Sequence, residues 1–241
     1  ARTGEGTKPQ LWSVSDGHAQ ADAVLAIVQA LHRDGIPRNS IAVLYRSHFN
    51  AIDIQLTLAR NKVPYHITSG VGFFEQIHVK DVIAFLRICL DTKAELSFER
   101  LVALLPGVGD MSAKKYWARC GNAFAADDAD SRARLGGMLG AKAKTYWPAL
   151  EAAFATATAH HAAGEDATMV NDFYKSFYAG HLSREFGEEA EKRVEDITGL
   201  AAAISAAQGL EAFLQEVALM TNLDKAATNG DAVHLTTVHQ A

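Results

Sequence analysis

Tyr45 and Arg46 close an apolar run, Ile41-Ala42-Val43-Leu44, and the change of character is abrupt. A buried parallel strand reads this way when it delivers side chains to a crevice at its carboxyl edge. A planar, permanently charged guanidinium at such an edge suits stabilisation of the charge that develops on a transferring phosphoryl group. The same dipeptide also suits an interfacial tyrosine beside a surface arginine, and residue types alone leave both readings open. A second run, Val233-His234-Leu235-Thr236-Thr237-Val238, likewise ends in a polar group, His239. A third constellation is Leu104-Leu105-Pro106-Gly107-Val108-Gly109, followed by Asp110-Met111-Ser112-Ala113-Lys114-Lys115. Its glycines would let a turn approach a phosphate closely, with the N–H groups of the second helix pointing at the anion and two lysines beside them. A plain helix–helix turn with a glycine C-cap gives the same pattern.

Alternating strands and helices must hold these groups. Pro9 to Ser15 reads as a short strand, and Ala21, Val24, Ile27, Val28 and Leu31 mark a helical face that stops near Gly35-Ile36-Pro37. Strand Ile41 to Arg46 follows, then a helix with Asn50 as its expected N-cap and Ile52, Leu56 and Ala59 on one face. Val63 to Ile67 gives another strand; Val79, Val82, Ile83, Leu86 and Leu90 give another helix. This alternation predicts a parallel sheet with right-handed crossovers. From Glu95 to about Asn222 the pattern is helical throughout, with Val170, Phe173 and Phe177 on one face and Leu210, Phe213, Leu214 and Val217 on another. The β pattern returns at Ala232 to Val238. An all-helical block interrupting an α/β unit is an insertion, so the last strand is expected back in the first sheet. The expected fold is therefore α/β, a partial parallel sheet with a large all-helical insertion. Residues 1–91 form the first part of the α/β domain, 92–224 the helical subdomain, and 225–241 the return strand. Asp127 to Asp130 and Ala226 to Gly230 are expected to be loose loops, and the charged run Glu185 to Glu195 a solvated helix face.

The two strand motifs together resemble the second motor domain of superfamily 1 DNA helicases of the UvrD/Rep/PcrA type. Ser69-Gly70-Val71-Gly72-Phe73-Phe74-Glu75, then Val79-Lys80-Asp81-Val82 and Phe85-Leu86-Arg87, resemble another signature of that family. The chain departs from it at Gln76, where Arg is usual, and at His78, where Glu is usual. The resemblance implies a RecA-like 2A domain into which a helical 2B subdomain is inserted. It implies ATP and Mg2+ as cofactors of the intact enzyme, with Tyr45 near the base and Arg46 reaching the γ-phosphate. It implies duplex contact through Gly107, Val108, Gly109, Lys114 and Lys115, and places Thr237 and His239 between the nucleotide cleft and the single-strand track. The implied partners are a single-strand/duplex DNA junction and an N-terminal RecA-like motor domain. The implied activity is ATP-dependent unwinding, 3′ to 5′, in repair or replication.

A Gly-x-x-x-x-Gly-Lys-Ser/Thr phosphate loop does not occur; Gly6-Thr7-Lys8 and Gly140-Ala141-Lys142 lack the spacing. The family's Lys-Gly-Leu-Glu would follow Ala241, and the first residue is Ala1 rather than Met. The chain is thus expected to be a piece of a larger enzyme that hydrolyses no ATP by itself. Two rival expectations are the helicase part of an AddA/RecB-like helicase–nuclease and a non-catalytic DNA- or protein-binding adaptor.

Composition bounds these readings. A length of 241 residues with 49% hydrophobic content supports one large domain or two small ones. A net charge of −5 argues against indiscriminate coating of nucleic acid, although it permits a local footprint. No apolar run approaches the roughly 18 to 20 residues that span a bilayer, so no membrane partner and a cytoplasmic location are expected. The two cysteines, Cys89 and Cys120, are too few for a disulfide framework or zinc knuckle and are expected as buried or semi-buried reduced thiols. His160-His161, and Cys120 with His181, lack metal-ligand spacing, so no metal site is expected and these histidines are expected at the surface.

Overall fold

Among the described residues three short strands form, each built largely of apolar, aromatic or β-branched side chains: β1 (Ala42–Tyr45), β2 (Tyr65–Ile67) and β3 (Val233–Thr237). In the computed structural model, which describes residues 8–46, 48–68, 72–226 and 230–238 without the side chains of 48, 49, 219 and 221–226, they run parallel in the order β1-β3-β2. The last strand therefore returns to the middle of the sheet, as the insertion pattern requires. Backbone bonds from Val233 N–H to Pro64 O (2.9 Å) and His234 N–H to Ile41 O (2.9 Å) set its register. Asp231 fixes its start, accepting from Asn39 N–H at 3.0 Å and pairing with Arg38 at 3.4 Å.

Two expectations about the first half fail. Residues 8–14 form no strand and lie in solvent, with Leu11 99% and Trp12 57% exposed. Local β character needs a partner ladder, and among the described residues no strand runs beside them. Helices α1 (Gly17–Arg33) and α2 (Ile52–Arg60) follow as expected, but Asn50 is not the N-cap of α2. A single 3-10 turn, His48–Ala51, precedes the helix, and Ala51 takes the cap position without a side-chain bond. That tight turn supplies backbone continuity where a polar cap was expected.

Helix α3 (Ile77–Leu90) is buried almost all round, because the helical block encloses it. The block comprises α4 (Glu95–Ala103), α5 (Asp110–Arg119), α6 (Ala129–Met138), α7 (Ala141–Ala162), α8 (Asp166–Phe173), α9 (Ala179–Phe186), α10 (Ala190–Ala206) and α11 (Leu210–Ala226). A π-helical segment, Tyr174–Tyr178, joins α8 to α9. Phe85 of α3 stacks on Phe173 at 4.3 Å and on Phe154 at 5.4 Å; Phe124 links Phe154 to Phe98. One hydrophobic cluster runs without interruption from α1 through the sheet into this block.

The acidic stretch Asp127 to Asp130 is a helix start rather than a loose loop. The Asp128 carboxylate caps α6, accepting from Ser131 N–H at 2.9 Å, so the charge sits where the helix dipole favours it. The run Glu185 to Glu195 is not one helix face either. It breaks at Gly187, whose φ of +53° ends α9, and Arg193 of α10 folds back over the Phe186 ring at 3.9 Å.

Candidate functional site

Tyr45 and Thr237 are register partners in adjacent parallel strands, so the ends of the two motif strands lie side by side. Both side chains are buried, and Val238 N–H donates to Tyr45 O at 3.0 Å. Arg46 is the next residue, exposed beyond the strand. The end of β2 is held at the same edge by Thr68 N–H donating to Leu235 O at 2.9 Å. One carboxyl edge thus presents an exposed guanidinium on a rigid, buried base. His239, Ser47, Ser69, Gly70 and Val71 lie outside the described residues, as do Ala227 to Asn229 of the expected loop.

The hairpin predicted at Leu104 to Lys115 is formed by α4 and α5. Leu105 and Val108 are buried and pin the turn to the core, so at Val108 the hairpin offers backbone rather than side chain. Gly107 has φ +85°, which only glycine adopts without strain. Gly109 is extended, and a Cβ there would meet nothing within 4 Å, so its backbone does not require glycine. Added to Gly107, a Cβ would sit 3.5 Å from Cβ of Lys142, which places the start of α7 against the turn. Lys114 and Lys115 are both exposed but diverge around α5. Lys114 lines a cleft of about 580 Å³ together with Asp110, Glu99, Glu185, Arg100 and His181. Lys115 shares a groove with Ser112, Tyr116, Arg119 and Met138. Trp117, Phe98 and Phe124 behind the turn are buried and unavailable for stacking unpaired bases, which leaves the half-buried Tyr116 in the Lys115 groove.

Beneath the cleft lies a polar cluster that motif reading did not reveal. Asp81, 1% exposed, accepts from Arg100 Nε at 2.6 Å and from the Tyr178 hydroxyl. Burial, then the neighbouring carboxylate, pushes the Tyr178 hydroxyl far up, keeping it a donor. His181 stacks on Tyr178 at 5.4 Å, and burial lowers its pKa. His78, at the position that departs from the family pattern, is buried and donates to Asp196 of α10 at 2.9 Å. A carboxylate partner contributed from 118 residues away leaves no local sequence signal.

Among the described residues no group of His, Cys, Asp and Glu is arranged to hold a metal. Burial raises the pKa of both cysteines, which keeps them as thiols. His160 and His161 are not plain surface histidines: they are ion-paired braces at the end of α7. His160 reaches Glu165 (3.1 Å) and Asp172 (2.9 Å), and His161 reaches Asp166 (2.6 Å) and Glu211 (3.2 Å). Both pKa values are raised, chiefly by the hydrogen bonds to Glu165 and Asp166 respectively. Stability from a raised histidine is fully present below its unfolded pKa of about 6.5 and fades as pH rises through the folded value. The stability gap between wild type and His161→Gln is therefore expected to be wide at pH 6 and to close towards pH 9 in urea titrations. A gap that widened with pH would contradict this sign.

Comparison with known proteins adds an independent line. Residues 1–119 match the family described as UvrD-like helicase C-terminal domain. DNA helicase II of Escherichia coli is 25% identical over 222 residues, 83% of this chain and 29% of that protein. A probable DNA helicase II homolog of Rickettsia felis is 24% identical over 225 residues, 89% of this chain and 34% of that protein. The ATP-dependent DNA helicase PcrA of Staphylococcus epidermidis is 23% identical over 111 residues, 46% of this chain and 15% of that protein. The chain thus spans about a third or less of the length of these relatives. Among the described residues no single helix is long and apolar enough to cross a membrane.

Proposed function

Since this chain belongs to the UvrD/PcrA-type helicases, as part of their C-terminal region, we propose that it supplies one wall of an ATP cleft and a duplex-contacting arm. The observation that carries the reading is the sheet edge, where Tyr45 lies opposite Thr237 with Arg46 exposed beyond it. A cation so placed suits charge stabilisation on a γ-phosphate held, with Mg2+, by an N-terminal RecA-like domain. Tyr45 forms the buried base of that wall, and Thr237, with His239 after it, leads towards the single strand. Residues 1–91 and 225–241 would form the 2A domain, and 92–224 the 2B arm. The intact protein would couple ATP turnover to unwinding at a single-strand/duplex junction, 3′ to 5′, in cytoplasmic DNA repair or replication. The chain by itself, lacking the phosphate loop, would not turn over ATP.

The arm would meet duplex DNA through the Gly107-Val108-Gly109 turn, with Lys114 and Lys115 beside it. A backbone turn backed by cations, with the half-buried Tyr116 as a lone aromatic beside it rather than a ladder of rings, suits phosphate contact rather than base stacking. In the full-length protein, replacing Lys114 and Lys115 together by alanine is expected to weaken duplex affinity and unwinding while sparing ATP turnover stimulated by single strands. Loss of single-strand stimulation with duplex affinity intact would assign the hairpin to the wrong strand.

A further inference from the structure

The two sides of the hairpin differ in charge. On the Lys114 side the cleft holds three exposed or half-buried carboxylates, from Asp110, Glu99 and Glu185, with the buried carboxylate of Asp81 beneath. On the Lys115 side the groove lined by Ser112, Tyr116, Arg119 and Met138 contains no carboxylate. Lys115 and Arg119 are four residues apart on α5 and therefore share a face. Met138 lines the Lys115 groove, and four residues on Lys142 abuts the Gly107 turn, so the segment between them connects groove and turn. Lys115, Arg119 and Lys142 are exposed, and none of them pairs with a carboxylate among the described residues.

We propose that the duplex lies on this second side, its phosphate backbone following a track from Lys142 past the Gly107 turn to Lys115 and Arg119. The inference rests on the assignment of the hairpin to duplex DNA, adds to it a face and two residues that no motif marked, and leaves Lys115 rather than Lys114 as the lysine of α5 that meets the duplex. The physical reason is charge selection. A polyanion is repelled by the carboxylates of the Lys114 cleft and neutralises unpaired cations on the other face, releasing condensed counterions as it does so. Close approach is possible because glycine at 107 leaves the backbone exposed beside Lys142. Contacts of this kind read no bases, so the surface takes B-form duplex of any sequence.

Lys144 provides the control. It is exposed on the same helix, carries the same charge, and lies about 200° around the axis from Lys142. The experiment is fluorescence anisotropy of the 241-residue chain with a blunt duplex across a salt series. Lys115→Ala, Arg119→Ala and Lys142→Ala are each expected to flatten the log–log salt dependence by about 0.9, one phosphate apiece. Lys144→Ala should leave it unchanged. All four positions are exposed, and unchanged far-UV circular dichroism would verify that the variants fold. If wild type binds duplex with salt dependence but the Arg119 and Lys142 variants behave like Lys144→Ala, the track is wrong while the hairpin assignment stands. If wild type shows no salt-dependent duplex binding, the hairpin assignment itself fails and the track falls with it.

Discussion

Arg46→Ala in the full-length protein is expected to lower ATP turnover by about 10³-fold or more, the loss typical of a removed arginine finger. The guanidinium stands on the carboxyl edge of the sheet, and the Tyr45 carbonyl before it is held by Val238 N–H at 3.0 Å. It is exposed, and it belongs to no ion pair among the described residues that would account for its presence structurally. Removing it should therefore leave the melting transition in place while the chemistry fails. Arg46→Lys is expected to recover little, because a point charge on a flexible stem does not reproduce the planar fork. The measurement is steady-state ATPase saturated with single-stranded DNA, with kcat and KM separated. A loss in kcat at near-constant KM is the signature of transition-state stabilisation. A drop of only a few-fold would return Arg46 to the role of a surface residue on a strand end.

The parts of this fold that were legible in the sequence are those whose pattern is short-range and whose partners are implied by it. Strands β1 and β3 carry enough apolar character to be read alone, and their pairing follows from the logic of an inserted block. The hairpin is marked by Gly107, which the turn requires, and by Gly109, which it merely tolerates. Residues 8–14 show the opposite case: a β-like string is only a strand where a ladder exists to receive it. Asn50 shows that a good capping residue does not create a cap when a 3-10 turn precedes the helix. At the candidate site, sequence spacing put Lys114 and Lys115 together, whereas helix geometry turns adjacent residues about 100° apart and into different electrostatic surroundings. Lys142 is 35 positions from Gly107, and only the packing of α7 against the turn brings them into contact.

Asp81 is the least legible of the consequential residues, since a Lys-Asp pair on a helix reads as exposed charge. Lys80 fits that reading, half-exposed and paired with Glu75, while Asp81 one residue on is turned wholly inward. Its carboxylate joins three elements, bonding the Arg100 guanidinium of α4 and the Tyr178 hydroxyl of the π-helical segment to α3. Arg100 also donates to the Ile77 carbonyl at 3.1 Å, which ties the start of α3 to the helix that leads into the hairpin. Asp81→Ala is expected to destabilise the chain by about 3 to 5 kcal/mol, the range for removing one partner of a buried pair. Arg100 is about a third exposed and can recover water, but Tyr178 is 0% exposed and its hydroxyl would be left without an acceptor. Asp81→Asn keeps an oxygen for that hydroxyl and gives up only the charge, so its cost should be about half as large. Tyr178→Phe leaves the Asp81–Arg100 pair intact and should cost about 1 to 2 kcal/mol. Urea midpoints at constant m-value would measure all three. The expected order is Asp81→Ala worst, then Asp81→Asn, then Tyr178→Phe. A loss under about 1 kcal/mol for Asp81→Ala would mean that water reaches this site and that the Asp81 carboxylate adds little to the attachment of the helical block to α3.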